Sequence, residues 1–170
     1  PAGVRHWPAR TVPVAADTLR LGDLDVAACL REAVDRWNAG EDEPFFSWDP
    51  AAAWGVRLAR ADDPALPPLA ARFRAADGAG RPARIEILVG DSWRRLSQRP
   101  YLVRGLVHEL GHALLLWGHS EDRAHVLWRC GPLRDTPSLD ERAVARLWSL
   151  LPEGLDLRRY DRSTEIEAPR

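Results

Sequence analysis

Methionine and lysine are both missing from this 170-residue chain, and cysteine occurs only twice. All 24 cationic residues are therefore arginine, a compositional bias that carries no chemistry of its own. The chain starts at Pro1 with neither an initiator nor a signal-peptide pattern, so the expectation is a soluble protein, with export left open. A net charge of −1 provides no basic excess, which argues against a nucleic-acid or anionic-membrane surface. No apolar run approaches the ~20 residues of a membrane span. Cys29 and Cys130 lie far apart and leave a disulfide and two buried thiols equally open. No clustered Asp/Asn loop points to calcium.

What is present is the make-up of a globular domain: 45% hydrophobic residues and eight tryptophans. The expected organisation is one domain over residues 1–152, followed by a polar tail over 153–170. Thr11–Ala15, interrupted by Pro13, reads as an edge or first strand. A helix is expected over Leu24–Asn38, with Asp23 as N-cap and Gly40 just past its end. Val26, Leu30, Ala33, Val34 and Trp37 fall on one face of it at helical spacing, the pattern of core packing. Residues 41–52 read as a loop, Trp54–Arg60 as a strand and Asp62–Leu69, rich in proline, as irregular chain. Ala71–Ala75 and Ala83–Val89 read as two strands joined through Asp77-Gly78. A second helix is expected from Pro100 to about Trp117. A third opens on Ser138 and Glu141 in capping-box spacing and stops at Pro152.

The second helix carries the densest chemistry. Residues 108–119 read His-Glu-Leu-Gly-His-Ala-Leu-Leu-Leu-Trp-Gly-His. His108 and His112, four apart, share one helix face about 6 Å apart along the axis, so both imidazoles can reach one zinc ion. Glu109 lies beside them, placed to act on water at the metal without being a ligand. His119 follows Gly118, where a helix can end and a third imidazole can swing back. Three protein ligands with an open fourth position define a catalytic zinc site; a structural one is closed. The competing plain reading is two ordinary histidines on an amphipathic helix. The third histidine and its preceding glycine weigh against it.

His108–Ser120, HELGHALLLWGHS, resembles the zinc-binding stretch of matrixin-type metzincin proteases. The order of elements over residues 7–152 is similar at the level of pattern. The resemblance implies an α/β (α+β zincin-like) fold: a twisted mixed sheet with an antiparallel edge strand, an N-terminal backing helix, an active-site helix and a C-terminal helix. It implies His108, His112 and His119 as zinc ligands, Glu109 as general base and Ser120 as a supporting residue. It further implies that an extended peptide substrate lies along an edge strand, for which Arg84–Val89 is the candidate, with a specificity pocket over Arg129–Thr136. A monomer is expected, with no nucleic-acid or membrane partner.

The chain departs from the family pattern at two points. Leu115 stands where the family has glycine, and His119 comes one residue late. On an uninterrupted helix His119 would lie about 10 Å beyond His112, so the chain must break near Trp117-Gly118, with Gly118 able to take the required conformation. The supporting methionine is absent, and Leu127, of similar volume, occupies its place as an apolar platform. His125 reads either as a hydrogen-bond donor near the metal or as a turn residue, and the turn is favoured. Two other functional classes fit parts of the pattern. A metal-dependent endoribonuclease would use three histidines but has no need of Glu109. A non-catalytic metzincin-like binding module would accommodate Leu115 and the missing methionine.

Overall fold

A computed structural model of the chain describes residues 7–61, 69–74, 84–90, 98–114, 119–129 and 134–151. The elements in order are β1 (Val12–Ala16), β2 (Arg20–Leu21), β3 (Leu24–Asp25), α1 (Val26–Asn38), β4 (Phe46–Trp48), β5 (Gly55–Arg60), β6 (Leu69–Arg74), β7 (Arg84–Val89), α2 (Arg99–Ala113) and α3 (Leu139–Trp148). Five strands form one sheet in the order β4-β1-β5-β7-β6, while β2 and β3 make a small separate ladder. The β1–β4, β1–β5 and β5–β7 pairs are parallel, and only β6 runs antiparallel, along β7. The fold is therefore mixed α/β, with a mostly parallel sheet and three helices among the described residues. None of these helices is long and apolar enough to cross a membrane.

Alternation along the strands places Val12, Val14, Val56, Leu58, Ile85, Ile87 and Val89 on one face of the sheet. That face packs on α1 and α2 through Val26, Leu30, Ala33, Trp37, Leu102, Leu106 and Leu110, all of which are buried. The expected α1 stripe is thus core, and Cys29, a buried thiol, extends it. Cys130 lies outside the described residues.

Four expectations are corrected. Helix α1 starts at Val26, not Leu24, because Leu24–Asp25 pairs with Arg20–Leu21; Asp25, not Asp23, accepts the Ala28 N–H as N-cap. Within the stretch read as loop, Phe46–Trp48 forms β4. Its docking is local: the Asn38 side chain both donates to the Phe46 carbonyl and accepts its N–H. Arg84–Val89 is not an edge strand, since β7 is hydrogen bonded to β5 on one side and β6 on the other. The antiparallel edge is β6. Finally, α2 ends at Ala113, with Leu114 as its C-cap, rather than near Trp117. The Ala113 carbonyl is taken at 2.8 Å by the indole N–H of Trp7.

Strand β1 is interior, although it contains proline. Pro13 lies where β1 pairs only with β4; pairing with β5 begins at Val14. The neighbouring Gly55 has φ +101, and a Cβ there would stand 2.3 Å from the Pro13 carbonyl oxygen. Main chain cannot yield as a flexible side chain can. Gly55→Ala is expected to lower the unfolding free energy by at least about 2 kcal/mol, measured by chemical denaturation.

Candidate metal centre

Helix α2 lies across the sheet with its apolar face inward, and this sets His108 at the boundary of the core, only 7% exposed. His112, one turn later, is half-buried, and His119 is exposed. One ring nitrogen from each of the three lies within 4.8 Å of the others. The ring centroids form a nearly even triangle, 4.8, 4.9 and 5.3 Å on a side. The chain therefore turns back after α2 so that three side chains from two segments converge. Gly118, expected to make that turn, and Leu115 lie outside the described residues.

The donor set fits a metal ion. Nε2 of His108 and Nε2 of His112 are 3.2 Å apart. Two ligands on a tetrahedral zinc at roughly 2.0–2.1 Å would stand about 3.3–3.4 Å apart. His108 Nδ1 is 2.7 Å from the Val126 carbonyl oxygen, an acceptor only, so Nδ1 carries the hydrogen and Nε2 presents its lone pair. Burial holds the His108 pKa below its ordinary value, favouring the neutral imidazole that binds metals, although the Val126 bond opposes this. These three histidines could hold a metal ion; their geometry does not discriminate which.

Residues 119–129 form a tight knot behind the centre. The Ser120 N–H bonds the Leu127 carbonyl at 2.7 Å, and the Arg129 N–H returns to the Ser120 carbonyl at 3.1 Å. Ser120 Oγ accepts the Asp122 N–H and is hydrogen bonded to His125 Nδ1 at 2.7 Å. Ser120 thus braces the loop through His125, and His125 serves as a turn residue. Leu127 is buried against α2. A Cβ on Gly111 would meet Leu127 Cδ2 at 2.9 Å and Trp37 Cζ2 at 3.2 Å, so the glycine between the two helix histidines lets this loop and α1 close on the helix.

Glu109 points toward the sheet edge, where the Ala71 N–H of β6 donates to its carboxylate. Burial pushes its pKa up to about 7, and the Ala71 bond opposes that rise only in part.

Sequence reasoning did not single out the Val126 carbonyl, Gly111, Ala71 or the second role of Glu141. Glu141 is 6% exposed. One carboxylate oxygen completes the capping box by accepting the Ser138 N–H at 3.0 Å, and the other accepts the Leu127 N–H at 3.0 Å. The Ser-x-x-Glu spacing signals the cap but carries no hint of the second oxygen's partner. Of the expected pocket segment Arg129–Thr136, residues 130–133 lie outside the described residues. Comparison with protein-family models gives no match, and comparison with curated proteins finds none similar to this chain.

Two outcomes follow. The folded state holds the Glu109 proton up to a higher pH than the unfolded chain, whose carboxyl titrates near ~4.5. Burial of the ionised form therefore costs stability that is absent below ~4.5 and fully felt above about 7. In metal-free protein, Glu109→Gln should match the wild type near pH 4 and exceed it by about 1–3 kcal/mol at pH 8, in denaturant titrations at the two pH values. Glu141→Ala strips the Leu127 and Ser138 N–H groups of their acceptor. It should cost about 2–4 kcal/mol and weaken metal binding in chelator competition, with Glu141→Gln recovering part of both.

Proposed function

We propose that the chain is a zinc-dependent endopeptidase of the matrixin-like metzincin kind, with His108, His112 and His119 as ligands and Glu109 as general base. The observation that carries this reading is the convergence of three imidazole nitrogens, with the neighbouring Glu109 bonded to the antiparallel strand β6 and its pKa raised to about 7. Zinc held there would supply Lewis acidity, polarising a carbonyl and lowering the pKa of water toward ~7.

The chain's own groups account for the rest. Val126 fixes the His108 tautomer, and Leu127 and Trp37 lock α2 in place. A carboxylate poised near 7 takes a proton from water and passes it to a leaving amine with little driving force lost in either direction. The substrate would pair along the edge strand β6. The Ala71 N–H donated to Glu109 supports this, since one main-chain donor of β6 already lies beside the proposed base.

The test is a peptidase assay on zinc-loaded protein, with casein and a structured RNA in parallel. Casein cleavage that stops on chelation and returns with zinc is expected. Glu109→Gln should keep one zinc per chain by elemental analysis while kcat falls by a factor of about 100 or more. Cleavage of RNA alone, or casein cleavage undiminished in the variant, would remove the proposal.

A further inference from the structure

The face of the sheet turned away from the helices carries a row of charges that alternates in sign. In register across β5, β7 and β6 stand Arg57, Glu86 and Arg72. Asp17, just past β1, is paired with the Arg57 guanidinium. From β1 to the β6 edge the row therefore reads minus, plus, minus, plus. Glu86 alternates with the core residues Ile85 and Ile87, so it projects from the opposite face, yet it is only 7% exposed. Its carboxylate takes Arg72 Nη2 at 3.1 Å and Arg84 Nη2 at 2.9 Å. Two guanidiniums share one carboxylate, so this end of the row has an excess of positive charge. Arg72 ends the row, with its side chain 47% exposed on the outermost strand of the sheet among the described residues.

We propose that the substrate completes this row: an extended peptide with Asp or Glu opposite Arg72. This rests on the peptidase reading above, in which the peptide pairs along β6. A strand added there sets the side chain opposite Arg72 on the same face of the sheet, within reach of the guanidinium. An acidic residue continues the alternation, whereas a lysine stands against a like charge. Charge also selects between occupants. Strand β6 reads Leu-Ala-Ala-Arg-Phe-Arg and holds no acidic residue, so a second copy of the same edge offers nothing to Arg72. The place along the substrate follows from the neighbouring residue. Ala71 bonds Glu109, so the substrate residue opposite Ala71 lies nearest the proposed base. The acid is the neighbour of that residue, within about two residues of the bond cut. An exposed cross-strand ion pair is a modest interaction, so the effect is a selectivity of about two- to fivefold and not an absolute requirement.

The test uses zinc-loaded protein and blocked peptides of one sequence, carrying Glu, Gln or Lys in turn at each position near the cut. At one position kcat/KM should favour Glu over Gln by about two- to fivefold, with Lys the poorest. Arg72→Glu should reverse that order, Arg72→Gln should level it, and Arg72→Lys should keep it. Each ratio compares peptides on one preparation, so a partial loss of folded protein in a variant does not move it. Fluorescence anisotropy of the same peptides, labelled, on zinc-loaded Glu109→Gln reads binding without cleavage. Acid-selective binding that Arg72→Glu reverses in that background, with no cleavage by the wild type, supports the charge row and removes the peptidase. Cleavage without a charge preference, or with one that Arg72→Glu fails to reverse, overturns the charge row and leaves the peptidase standing. Absence of both binding and cleavage removes both.

Discussion

The bond from His108 Nδ1 to the Val126 carbonyl, 2.7 Å long and buried, is the constraint on which the centre depends. An imidazole on a helix can rotate and can carry its proton on either nitrogen. Neither freedom suits a ligand, because metal binding needs a lone pair at a fixed point. The carbonyl removes both freedoms, but a main-chain oxygen can do so only if its own segment is immobile. The knot over residues 119–129 supplies that rigidity, with Ser120 bonded on both sides to residues 127–129. The same knot carries His119. One short segment therefore orients one histidine of the candidate centre and delivers another, and their relative positions are coupled.

Support for the knot comes from α3 through a buried carboxylate. A buried charge with one partner would be costly, but Glu141 meets Leu127 with one oxygen and the Ser138 main chain and hydroxyl with the other. α3 in turn is anchored by Arg142, set on the carbonyls that end α1. The chain of dependence runs from α1 through α3 and the knot to His108, while Trp37 binds α1 directly to the Val107 carbonyl of α2. Each link is a hydrogen bond to main chain, which fixes position more tightly than apolar contact does.

The parts that were legible in the sequence obey local periodicity or spacing. The α1 stripe, β5, the β6–β7 pair and the Ser138 capping box rest on patterns contained within one element. His108 and His112 were legible for the same reason, and His119 by its short spacing from them, although the connecting residues 115–118 lie outside the described structure. What sequence could not supply was partnership across distance. Arg84–Val89 has the apolar alternation of a strand, yet whether it lies inside or at the edge depends on what pairs with it. The second partner of Glu141 is likewise settled by tertiary approach. Helix α3 shows the limit most sharply, because Leu139, Ala143 and Leu147 have the spacing of a core face, and yet it is the opposite face that turns inward.

Glu109 is where stability and chemistry part company. A helix residue reaching toward a sheet edge would be most stable as an apolar or neutral side chain, since burial raises its pKa to about 7 and ionisation there is penalised. The Ala71 N–H offsets only part of that penalty, and no arginine among the described residues contributes to the shift. A partner cation would make Glu109 a better structural residue and a poorer base, by holding its carboxylate ionised and weakly basic. A buried carboxylate only partly compensated, beside three convergent imidazoles, costs stability, and that cost is what the proposed proton transfer would require.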